Sequence, residues 1–259
     1  MERLLAELPD LELVGLLRGA SNYTFLAQLN PHPPSGLEVV YKPARGESPL
    51  WDFPAGTLYQ REVAAYELSK VLGWPRIPPT VVRERGPHGI GALQLFVDAD
   101  DRHFLSEQAS QREAPPGDGK TSHPAPPSGE EYGLAARRTW LKIALFDVIA
   151  NNADRKSGHC LFDAQDRVWV IDHGLTFHIN PKLRTVIWDF SGEPLPADLC
   201  GDLEHALISL EKGKLAELLE PLLSPAEVRL LKRRLRGVLE PSWRFPEPTS
   251  AWSVPWPPV

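Results

Sequence analysis

The apolar run Ile143-Ala144-Leu145-Phe146 continues through Asp147-Val148-Ile149-Ala150 into a polar cluster, Asn151-Asn152-Ala153-Asp154-Arg155. A helix this apolar has to be enclosed by the rest of the fold. Polar groups gathered at the end of an enclosed helix need either a hydrogen-bonded network or chemistry to perform. Thirteen residues beyond Arg155, Val168-Trp169-Val170-Ile171 reads as a buried strand that stops at a carboxylate, Asp172, with Gly174 two residues on to free the backbone. A desolvated aspartate at a strand end is costly unless it binds a cation or accepts hydrogen bonds. The two segments together predict a cleft that holds two carboxylates, Asp154 and Asp172.

The elements on either side sort into strands first and helices later. Leu11 to Arg18, Tyr23 to Leu29 and Leu37 to Lys42 are strand candidates, with the turn residues Gly19-Ala20-Ser21-Asn22 between the first two. Leu58 to Leu72 reads as a helix with one apolar stripe, Val63, Ala65, Tyr66, Leu68 and Leu72, ending at Gly73 with Pro75 beyond. Thr80 to Arg83 and Ala92 to Val97 are further strands. From Ser106 to Glu131 the composition turns to Pro, Gly, Ser, Gln and charge, which predicts a flexible insertion. A helix resumes at Tyr132 and runs to Ala150. Leu215 to Leu239 holds two helical patterns separated by a capping box at Ser224-Pro225-Ala226-Glu227. Residues 241–259 form a Pro- and Trp-rich tail, whose tryptophans either dock on the domain or engage a partner. The boundaries expected are a first lobe over 1–98, a second over 99–240, and the tail over 241–259.

At 259 residues with 42% hydrophobic and 24% charged residues, the chain can build one large domain or two lobes around a cleft. Its net charge of -6 argues against general nucleic-acid binding, which needs a basic surface. The two cysteines, Cys160 and Cys200, lack a C-x-x-C spacing, so neither a zinc site nor a disulfide scaffold is expected. Glu2, Arg3 and Glu7 interrupt the leucines near the start, unlike a signal peptide, and no apolar run reaches membrane-spanning length. A cytoplasmic location is the expectation.

Paired carboxylates downstream of a sheet with a closing lysine suit phosphoryl transfer from ATP. In that arrangement Gly19, Ser21 and Asn22 form a turn over the phosphates, although an ordinary hairpin turn has the same composition. Lys42 closes a buried strand and must place its ammonium in water or beside an anion. Glu62, on the helix twenty residues later, is its expected aiming partner. Gln94, Leu95, Phe96 and Val97 are the expected adenine hinge. Asp154 would engage the acceptor hydroxyl, with Arg155 holding the loop or offsetting charge, and Asp172 would hold the metal with His159 projecting toward it. Asp147 on the helix is expected to be structural.

Asn152-Ala153-Asp154-Arg155 and Ile171-Asp172-His173-Gly174-Leu175-Thr176-Phe177 resemble the motifs of the phosphatidylinositol 3-/4-kinase superfamily, in its small actinobacterial-type branch, with HipA-type kinases more distantly similar. The second resembles the metal-binding motif of type II phosphatidylinositol 4-kinases. The resemblance spans about residues 11 to 240, and implies an α+β, two-lobed protein-kinase-like fold with a small antiparallel-sheet N-lobe and a mainly helical C-lobe. It also implies ATP with magnesium or manganese, with Asp154 as the catalytic aspartate, Asp172 as the metal aspartate, Lys42 as the ATP lysine and Ser21 to Phe25 as the phosphate loop. Two departures stand out. His159 occupies the place of the usual second metal-site asparagine, and imidazole suits manganese better than magnesium. Lys182 and Arg184 are the only permanent cations between His178 and Phe190, a thin surface for a multiply charged lipid headgroup. The acceptor expected is therefore a hydroxyl of a protein, an inositol-type small molecule or a lipid. The alternatives are a catalytically weak nucleotide-binding module, with the insertion or tail engaging a protein partner, and nucleotidyl transfer from the same site.

Overall fold

A computed structural model describes residues 1–7, 10–17, 22–29, 36–100 and 130–258. Gly19 to Ser21 and all but the last two residues of the expected insertion lie outside the described residues.

The first lobe is a five-stranded sheet of β1 (Leu11–Leu16), β2 (Phe25–Leu29), β3 (Leu37–Pro43), β4 (Thr80–Gly86) and β5 (Gly89–Leu95). Their order is β1-β2-β3-β5-β4, antiparallel at every junction. Alternation along β3 decides what each face does. Val39 and Tyr41 are fully buried with Ala27, Leu29 and Leu93 against Leu5, on helix α1 (Glu2–Glu7). Val40 and Lys42, one residue out of step, face the cleft.

Helix α2 (Leu58–Leu72) packs Tyr59 and Val63 against Ala92 of the sheet. It ends where expected, at Gly73, whose φ of 75° is cheap only without a Cβ. The single apolar stripe, however, underestimates its burial: Arg61, Glu62, Glu67 and Ser69 are buried as well. The reason is that α2 has neighbours on both sides, since its other flank meets the second lobe.

That lobe consists of α3 (Glu130–Ala150), the hairpin β6 (Cys160–Phe162) and β7 (Val168–Val170), then α4 (Cys200–Lys212), α5 (Lys214–Leu219) and α6 (Pro225–Val238). One core joins Leu68 and Leu72 of α2 to Phe146 and Ile149 of α3, Leu203 and Leu210 of α4, and Leu231 and Leu235 of α6. The Ser224 capping box forms as expected, with Glu227 answering Ser224 and Pro225 at the first helical position. Helix α4 has no counterpart among the expected elements, although Leu203, Ala206 and Leu210 recur on one helical face. After α6 the chain packs back on this lobe: Phe245 is buried and Trp243 lies against the same core. Trp252 and Trp256 remain exposed. No helix among the described residues is long and apolar enough to cross a membrane.

Candidate active site

Between the lobes lies a cleft of about 580 Å³, lined by Val40, Lys42, Glu62 and Gln94 to Val97 from the first lobe and by Asp154, His159 and Asp172 from the second. Lys42 is its electrostatic centre. Its ammonium donates to Glu62 Oε1 at 2.5 Å and to Asp172 Oδ1 at 3.1 Å. Burial works against that charge, but Asp172 and Glu62 together raise its pKa above the ordinary lysine value. Glu62, 3% exposed, uses its second oxygen to accept the N–H of His173 at 2.9 Å, so the α2 carboxylate aims the lysine and fixes the backbone beside Asp172 at once.

The second lobe presents its carboxylates from a preorganised loop. Asn151 ends α3 in the left-handed region, φ 52°, a conformation asparagine tolerates, and donates to the carbonyls of His178 and Asn180. Asn152 bonds Asp147 Oδ1 at 2.8 Å through its amide, while its oxygen accepts the Asp154 N–H at 3.0 Å. Arg155 is fully buried. It donates to both oxygens of Asp147, to the Ile171 carbonyl at 3.0 Å and to His173 Nε2 at 2.8 Å. A buried network with this much pairing rigidifies the loop that carries it. The Arg155 guanidinium points into the protein rather than into the cleft, where its bonds hold the loop, and its charge still pulls on the Asp154 carboxyl.

Asp154 and Asp172 occupy different electrostatic surroundings. Burial lifts the Asp154 carboxyl to about 6 against the pull of Lys156, whose ammonium lies 3.3 Å away. Lys42 holds Asp172 well below the usual carboxylate range. Asp172 itself adopts φ 61°, whereas Gly174 stays out of the left-handed region. The strain is at the carboxylate residue. A non-glycine residue held there costs roughly 1–3 kcal/mol, which the surrounding bonds must offset.

His159 Nε2 stands 3.3 Å from Asp172 Oδ2, while its Nδ1 accepts the Lys156 N–H at 3.3 Å. Burial lowers its pKa to about 4, so the ring is neutral, and with Nδ1 accepting from Lys156 its proton sits on Nε2. Binding a metal through Nε2 would require the proton to move to Nδ1 at the expense of the Lys156 bond. The carboxylate of Asp172, ionised beside Lys42, suits a hard divalent cation without such a change.

The remaining expected residues divide in the same way. Asn22 lines the cleft, but its oxygen accepts the Ser48 N–H at 2.7 Å and so braces the neighbouring loop. Gln94 is buried with its amide on Thr80, and the Leu95 and Phe96 N–H groups serve the Pro79 and Glu38 carbonyls. The segment lines the cleft, with those donors spent on Pro79 and on β3. Sequence reading missed Glu47 and Ser48, which also line the cleft; no spacing signal marks them, because the loop after β3 brings them there.

The curated Protein Rv2133c of Mycobacterium tuberculosis (strain ATCC 25618 / H37Rv) is 36% identical over 275 residues, covering 96% of this chain and 92% of that protein. The chain belongs to its family. It matches no protein-family model. Among solved structures, the Helicobacter pylori proinflammatory kinase CtkA superposes with a TM-score of 0.55 at 14% identity, covering 90% of this chain and 92% of that one. Hydra Fam20 with sugar gives a TM-score of 0.51 at 15% identity, with 88% and 83% covered. Both likenesses establish a two-lobed, kinase-like fold for this member of the Rv2133c family, and its Lys42, Glu62 and Asp172 meet between those lobes.

Proposed function

We propose that the protein is an ATP- and divalent-metal-dependent phosphotransferase, and that it belongs to the phosphatidylinositol 3-/4-kinase-like branch of kinase folds. The observation that carries this reading is the chain of contacts from Glu62 through Lys42 to Asp172, with Asp154 on the same cleft. In a kinase fold these are the parts that position phosphates and balance their charge. Lys42, aimed by Glu62, binds the phosphates of ATP. Asp172 would hold a magnesium or manganese ion, which when bound neutralises phosphate charge. Asp154, with a pKa of about 6, is poised to take the proton of an attacking hydroxyl near neutral pH. The acceptor is a hydroxyl of a protein side chain, an inositol-type small molecule or a lipid.

The test is ATP turnover and transfer with either metal. Asp154→Ala should lower turnover by about 10³-fold while leaving ATP binding intact, and Asp172→Ala should lower it at least as far. Turnover indifferent to both substitutions refutes the proposal. His159, which stands 3.3 Å from Asp172 in the place of the second metal-site asparagine, favours a second reading, a nucleotide-binding module with weak catalysis. Under that reading ATP raises the melting temperature of wild-type and Asp154→Ala protein alike, with no product from either.

A further inference from the structure

Residues 241–258 cross the second lobe and finish at the cleft. Phe245 anchors the path: it is buried, its N–H donates to the Glu193 carbonyl and its own carbonyl accepts from Gly192. Further on, the Ser253 carbonyl accepts the Thr185 N–H at 3.0 Å and the Trp188 indole N–H at 3.3 Å. Then the Pro258 carbonyl accepts the Ser157 N–H at 2.8 Å, and Pro257 lines the cleft with Asp154, Lys156 and Gly158. Between these anchors, Arg184 and Val186 bond Arg155 on both its N–H and its carbonyl. Three layers of chain, around residues 253, 185 and 155, therefore lie side by side.

The Asp147–Asn152–Arg155 network ends before Ser157. Ser157 is fully buried, and a buried backbone N–H without an acceptor is expensive. Pro258 supplies that acceptor. The composition of the segment suits the purpose: Pro255, Pro257 and Pro258 have fixed φ, lose little entropy on docking and bring no donors of their own to satisfy.

We infer that Ser253 to Pro258 is a positioning strap of the active site, which holds residues 155–158 in register and forms, through Pro257, the wall of the cleft beside Asp154. Its structural part stands independently; its effect on turnover rests on the phosphotransfer reading. The experiment compares the full chain with a chain ending at Pro255, which keeps the buried Ser253 and Pro255 and removes Trp256 to Val259. Residue-resolved hydrogen exchange should show the Ser157 amide exchanging about tenfold faster in the shorter chain, as expected from loss of one buried hydrogen bond, with α3 amides unchanged. Asp154-dependent turnover should fall by about tenfold or more as the loop loses its geometry. Unchanged Ser157 exchange, or turnover that rises on shortening, overturns the strap. If the full chain shows no Asp154-dependent turnover, the phosphotransfer reading fails alone, and exchange at Ser157 still decides for or against the strap.

Discussion

Asp154 and Asp172 share one cleft, yet Asp172 stays ionised beside Lys42 while burial raises Asp154. Two carboxylates pushed apart in this way can take different roles, one binding charge and the other moving a proton. If Asp154 accepts the acceptor's proton, turnover should rise through a single ionisation near pH 6 and level off above it, measured as a pH profile at saturating ATP. The same shift has a stability consequence of opposite sign. A carboxyl whose pKa is raised on folding binds its proton more tightly in the folded state, so stability falls as pH rises from about 4 to about 6. Asp154→Asn removes that penalty. Denaturant titrations should therefore find the variant similar to wild type below pH 4 and more stable above pH 6, by up to about 3 kcal/mol. Equal stability at both pH values would contradict the raised pKa.

At the scale of elements, α2 governs the site because it carries Glu62 and is tied to the second lobe one residue earlier. Arg61, 2% exposed, pairs with Glu227 of α6 at 2.5 Å and donates to the Thr176 carbonyl at 2.9 Å. Burial opposes charge on Glu227, but Arg61 and the Ser224 N–H hold its carboxyl below the ordinary range, so the pair stabilises at neutral pH and weakens as pH falls. Glu227→Gln leaves Arg61 buried without its anion. Urea unfolding should show a loss of about 3 kcal/mol. ATP affinity should fall too, since Glu62 no longer has a fixed register against Lys42. A stable variant with unchanged ATP binding would mean that α2 is held by its apolar packing alone.

For the whole molecule, the two lobes are joined at the cleft mouth as well as through α2. Lys182 of the second lobe bonds Asp52 of the first at 2.6 Å and sits over the Trp51 ring, while His178 contacts the Asp52 carbonyl and the edge of Phe53. Lys182 keeps the Asp52 carboxyl below its usual range despite burial. Asp52 lies four residues beyond Ser48, so the latch ties the segment that follows the cleft-lining Glu47 and Ser48 to the second lobe. A double-mutant cycle on Asp52→Ala and Lys182→Ala should give a coupling of about 1 kcal/mol in unfolding free energy, and each single change should weaken ATP binding. Additive effects would show that the lobes close without the latch.

Much of this was legible locally. The Gly73 stop of α2, the capping box at Ser224, alternation along β3 and the apolar approach to Asp154 all depend on neighbours within a few residues, which periodicity and turn chemistry report. The lysine at the end of β3 and the glutamate on α2 could be matched because the kinase layout orders them. What could not be read are contacts between residues far apart in sequence: Arg61 with Glu227, Asp52 with Lys182, and Pro258 with Ser157. Arg155 shows the difference best, because its place beside Asp154 suggested the cleft, whereas the buried carboxylate of Asp147 turns it inward. By itself the sequence determined which segments could be strands and helices and that two carboxylates would come near one another. Only the tertiary structure decided which polar groups lose water together, and that desolvation, with the partners it imposes, sets the pKa of Asp154, the aim of Lys42 and the proton position on His159.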